Sequence, residues 1–137
     1  MNTSLLRLFA CGLIGLTTLG ILLVSILAFV DPQSVMQLVQ VKLPNTDAYS
    51  SIRGVYGGAG LSICIVLGYL GLTNPRLGLT YVAILSGLYA FSRLITALVE
   101  GPLGAFGQQW MIIEASISAL SILVLIAWQR AGRVQVA

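Results

Sequence analysis

The sequence predicts an all-α integral membrane protein: a four-helix bundle of antiparallel sequential spans with both termini cytoplasmic. Three observations predict it. Apolar residues make up 58% of the 137 and charged residues only 8%, too few charges to coat a water-facing surface. Four apolar runs each come close to the ~20 residues that cross the hydrocarbon core. Turn-forming clusters separate them: Asp31-Pro32, Pro44-Asn45-Thr46-Asp47, Thr73-Asn74-Pro75 and Gly101-Pro102-Leu103-Gly104. Residues 1–137 therefore read as a single four-span domain.

The first span is expected over 5–30. Its charge-free run from Leu8 to Val30 outlasts the roughly 7–15 apolar residues of a secretory signal. No small-residue cleavage site precedes Asp31, so the run reads as an uncleaved helix. The second span is expected over 48–72, with Thr46 or Asp47 as its N-terminal cap. The third covers 77–99 and the fourth 108–129. The short second and third connections make spans two, three and four antiparallel neighbours. The connection 31–47 is longer, and its run Val35 to Val41 is too short to span. It is expected to rest on the outer surface as a short helix or extended piece.

Orientation follows from the basic residues. Arg7, Arg76, Arg130 and Arg133 fall on one side with no acid, while Lys42, Asp31, Asp47 and Glu100 fall on the other. The first side is expected to be cytoplasmic and the location to be a cell inner membrane. Trp110, Trp128 and Tyr49 sit at span ends, where interfacial anchors belong.

The net charge of +3 comes from scattered residues at the ends of apolar runs, so no nucleic-acid partner is expected. There is no histidine, and Cys11 and Cys64 stand alone in separate runs, so neither a metal nor another cofactor is expected. Each thiol reads as a small apolar side chain.

Small residues mark where helices can touch in lipid. The second span offers Gly54 and Gly58 at G-x-x-x-G spacing, with Gly57 and Gly60 alongside. The pattern suits packing inside the bundle better than self-association.

Four ionisable residues lie in or beside apolar runs: Arg53, Arg93, Glu100 and Glu114. A charge at a helix centre in a bilayer costs roughly 3 kcal/mol or more, so such residues pair, line a wet cavity or act. Counting from the expected helix ends, Arg93 and Glu114 each lie about 9 Å inside the outer boundary, on neighbouring antiparallel helices. They are a natural ion pair, and each suits its helix dipole. Arg53 near a helix start and Glu100 at a helix end are disfavoured by the dipole, so they are expected to meet each other. Tyr56 lies three residues beyond Arg53 and Tyr89 four before Arg93, positions from which both hydroxyls can join the cluster. The cluster is either a structural lock or an outer-facing site for an anionic or lipid-like ligand.

The run Ile52-Arg53-Gly54-Val55-Tyr56-Gly57-Gly58, followed by Arg93, Glu100-Gly101-Pro102 and Glu114, resembles a family of small bacterial membrane proteins, domain of unknown function 4345. The resemblance covers roughly Asp31-Pro32 to the fourth span and falls on Arg53, Gly54, Tyr56, Gly57, Gly58, Arg93, Gly101 and Glu114. It implies a bacterial inner-membrane location and brings no activity.

Three functions compete. Assembly or ligand binding in the membrane is favoured, with membrane lipids, a larger membrane complex or a homodimer as partners. A small transporter or channel subunit is second, but the almost wholly apolar cytoplasmic halves lack a polar path. A lipid-acting enzyme is third: Arg, Glu and Tyr support acid–base chemistry, yet no nucleophile or phosphate-loop motif is present and no catalytic residue is assigned.

Overall fold

The four apolar runs each fold into one long helix, and short capped pieces join them. The computed structural model describes residues 3–134. Residues 1–2 and 135–137 of the expected domain, and the side chain of Arg133, lie outside the described residues. The first helix, α1, spans Thr3–Val30; α2 is Pro32–Gln37; α3 is Thr46–Ile52, continuing through a π-helical segment Arg53–Gly58 into α4, Ala59–Thr73; α5 is Pro75–Val99 and α6 is Ala105–Val134. There is no strand among the described residues. Four helices, over Thr3–Val30, Thr46–Thr73, Pro75–Val99 and Ala105–Gly132, are long and apolar enough to cross a membrane. Large side chains such as Leu72, 82% exposed, and Leu98, 76% exposed, point outward, as lipid-facing residues do.

The helix ends have local causes. α1 stops because Pro32 pushes Asp31 out of the helical region, to φ −141° and ψ 89°. Asp31 then caps α2 by accepting from the Gln33 amide at 3.1 Å. α3 is capped by Asn45, whose Oδ1 accepts from the Ala48 amide at 2.9 Å, and not by the expected Thr46 or Asp47. Asn74 caps α5 through the Leu77 amide at 3.2 Å. Pro75 takes the first helical position, where its missing N–H costs nothing, so α5 starts two residues before the expected boundary. Gly101, at φ 106°, reverses the chain after α5 in a conformation glycine adopts freely.

The chain divides into two compact units, Met1–Gly15 with Leu70–Ala137, and Leu16–Tyr69. In the first, α5 and α6 pack along their length. Arg93 pairs with Glu114, while Ala83 and Gly87 meet Ser118, so the two helices run antiparallel. The start of α1 joins them: a Cβ on Gly78 would lie 2.9 Å from Ile14 Cδ1.

In the second unit, the end of α1 runs antiparallel to the helix that carries the π-helical segment. Phe29 meets Gly57, Ser25 meets Gly60, and Cys64 Sγ donates to the Thr18 carbonyl at 3.5 Å. The close approaches fall at Gly57 and Gly60. A Cβ on Gly57 would sit 3.1 Å from the Phe29 ring, and one on Gly60 would overlap Ser25 Oγ, whereas Gly54 and Gly58 face no side chain within 4 Å. The G-x-x-x-G pair is thus not the packing pair in this unit.

Candidate functional site

In the first unit, antiparallel packing of α5 and α6 brings Arg93 and Glu114 face to face. Arg93 Nε donates to Glu114 Oε2 at 2.7 Å, and Nη2 donates to Oε1 at 3.0 Å. This two-pronged arrangement matches the planar guanidinium to the carboxylate. Both side chains are largely shielded, 24% and 13% exposed. The helix bounds shift the expected electrostatics. α6 begins at Ala105, so Glu114 lies about 13 Å into its helix, beyond the first turn where the dipole acts. Pairing, not the dipole, compensates Glu114. One turn deeper, Ser118 Oγ donates to the Ala83 carbonyl at 2.9 Å. The absent side chain of Gly87 gives that hydroxyl room: a Cβ there would lie 3.0 Å from it.

Tyr89 and Glu100 belong to the same unit. Tyr89 is 49% exposed, one turn before Arg93. Glu100 ends α5, its amide bonded to the Thr96 carbonyl at 2.8 Å and its side chain exposed.

Arg53 and Tyr56 lie in the second unit, within the π-helical segment. There the backbone bonds five residues back rather than four, as in Ala59 N–H to the Gly54 carbonyl. Three of its six residues are glycine, which weakens the preference for ordinary α-helix at this point. Such wide turns are uncommon and frequently occur at functional sites. The segment coincides with the motif that carries the family resemblance, a link invisible in residue spacing. Arg53 is exposed, and its Nε donates to the Phe29 carbonyl at 3.1 Å. This donor is spent on backbone within its own unit. Tyr56 is 40% exposed.

Asp31 and Gln33 were not singled out as site residues, and both organise the connection after α1. The Ser34 hydroxyl donates to Asp31. That bond, helped by the Ser34 and Gln33 amides and by the charge of Arg53, holds the Asp31 carboxyl below its ordinary 3.8 despite some desolvation. Gln33 clamps the connection with both ends of its carboxamide: Nε2 donates to the Val41 carbonyl at 2.9 Å, and Oε1 accepts from the Leu43 amide at 2.9 Å. Only the Asp-Pro dipeptide before a short apolar run hinted at this in the sequence.

Four membrane-length apolar helices carrying a shielded ion pair and a glycine-rich wide turn define an all-helical protein of the integral membrane class. Residues 9–125 match the family described as Domain of unknown function (DUF4345), and the chain belongs to that family. The match takes in most of the first span as well as the region carrying the motif. No curated protein and no solved structure matches the chain.

Proposed function

We propose that this is a non-enzymatic inner-membrane protein, with both termini cytoplasmic, that binds an anionic or lipid-like ligand through Arg53. In this reading the Arg93–Glu114 pair is an assembly lock, and the charge-bearing helix ends face outward. The observation that carries it is the contrast in the two arginines' partners. Arg93 is neutralised by a carboxylate gripping two of its nitrogens. Arg53 is exposed on the glycine-rich wide turn; within its own unit its Nε bonds a backbone carbonyl, and the Asp31 carboxylate feels its charge without gripping it as Glu114 grips Arg93. An arginine bonded to backbone keeps its full charge and has further N–H donors for a phosphate or carboxylate.

The test is native mass spectrometry of the protein extracted gently from its own membranes. The expected result is a reproducible bound anionic molecule that Arg53→Gln loses while circular dichroism shows the variant folded. Retention of that molecule by Arg53→Gln, or a bare wild-type protein, would sink the reading.

A further inference from the structure

The connection between α1 and α3 builds a second polar feature, independent of Arg53. Gln33, Gln37, Gln40, Val41, Lys42 and Tyr49 line an open basin of about 390 Å³. It is pre-formed. The turn ending α2 is closed by the Val41 amide on the Met36 carbonyl at 3.0 Å and the Gln40 amide on the Gln37 carbonyl at 3.0 Å, the paired bonds that usually close over a glycine. Here the left-handed residue is Gln40, at φ 59°, a conformation that costs roughly 1–2 kcal/mol for a residue with a Cβ. Glycine would fit there without strain; glutamine places a carboxamide on the basin wall instead. The Gln33 clamp holds Val41 and Leu43, which continue the chain from the same turn.

The basin's polar heads are uncommitted. Among the described residues, Gln37, Gln40, Lys42 and Tyr49 make no side-chain hydrogen bond or ion pair, and no carboxylate lines the basin. One cation, two carboxamides and a phenol offer only one positive charge but many neutral donors and acceptors. That set matches an anionic phosphate ester carrying hydroxyls. Leu38, Val39 and Val41 are exposed on the same connection, apolar side chains suited to dipping into the lipid interface. We infer that this basin binds a phosphate-ester group of the glycerol-phosphate kind, borne by a lipid headgroup or by a free metabolite.

The full-length protein in an uncharged detergent is titrated with phosphatidylglycerol, with phosphatidylcholine and with glycerol 3-phosphate, read by native mass spectrometry. Phosphatidylglycerol is expected to bind about tenfold more tightly than phosphatidylcholine, the worth of one charge-assisted contact. Lys42→Gln should bring the two level. Gln40→Gly, which relieves the left-handed strain, should melt no lower than wild type and still bind phosphatidylglycerol severalfold more weakly. Competition by glycerol 3-phosphate assigns the site to a free ligand, and its failure to compete assigns the site to lipid; either supports a phosphate-ester site. The inference is overturned if Lys42→Gln keeps the preference or if wild type has none. It is also overturned if Arg53→Gln alone abolishes binding, an outcome that would leave the Arg53 reading standing.

Discussion

Arg93 and Arg53 show two ways for an apolar helix to carry a cation. Arg93 sits on a regular α-helix, shielded, with a carboxylate matched to it at 2.7 Å and 3.0 Å. Arg53 sits on a glycine-rich wide turn, exposed, with a backbone carbonyl at 3.1 Å. The first arrangement is complete in itself and fixes how α5 packs on α6. The second leaves N–H donors unspent, while its charge acts at a distance on Asp31. Enclosure alone does not distinguish a structural charge from an available one; the identity of the partner does.

Removing one half of the closed pair should be the most damaging change. Glu114→Ala takes the matched carboxylate away from the shielded Arg93, a loss of about 3–5 kcal/mol. The expected outcome is a large drop in thermal stability in micelles. The double variant Arg93→Met with Glu114→Leu should recover most of it, since replacing both members with apolar residues is often neutral. If Glu114→Ala melts like wild type, the pair is not a lock.

The next largest effect concerns packing beside the wide turn. Gly60→Ala puts a Cβ into Ser25 Oγ, which is committed to the Ile21 carbonyl at 2.8 Å. A loss of about 1–3 kcal/mol follows from overpacking, and adding Ser25→Ala should restore part of it. Gly54→Ala meets nothing within 4 Å and should cost little, so equal losses at the two positions would refute the assigned contact face.

Arg53→Gln should cost only about 0.5–1.5 kcal/mol, the net worth of one hydrogen bond. A melting shift as large as that of Glu114→Ala would erase the contrast between the two arginines.

The smallest effect is a pH dependence at Asp31. Its carboxyl titrates below 3.8 in the folded protein, so the charged form stabilises the fold above the ordinary value. That contribution fades as pH falls through the lowered value. The difference in melting temperature between wild type and Asp31→Asn should therefore be constant near neutral pH and shrink below about pH 3.8. A difference that instead vanishes between pH 5 and 7 would point to another group.

Much of the fold was legible because the bilayer demands long uninterrupted apolar runs, and proline and glycine mark where these stop. The Arg93–Glu114 contact was legible because helical rise converts residue counts into depth. Arg53 was not, because its partner is the carbonyl of Phe29, and every residue has a carbonyl. Asn45 outcompeted Thr46 and Asp47 as a cap because several neighbouring residues could serve and only the backbone angles choose. Gly57 and Gly60, and not the spaced pair Gly54 and Gly58, make the close approaches, because spacing alone does not say which glycine faces the neighbouring helix. The wide turn itself leaves no periodic trace in six residues.

That turn also sets a rule for changes in chain length. An α-helix advances about 100° per residue, and a π-type turn accommodates one residue more than an α-helical turn does. Deleting one residue between Arg53 and Gly58 would let the segment revert to an ordinary α-helix, with the downstream face kept in register and only the motif lost. Deleting one residue from α4 beyond it would rotate Cys64 and Leu67, both buried, out toward lipid. Length is therefore more negotiable at the motif than in the featureless apolar helix beside it.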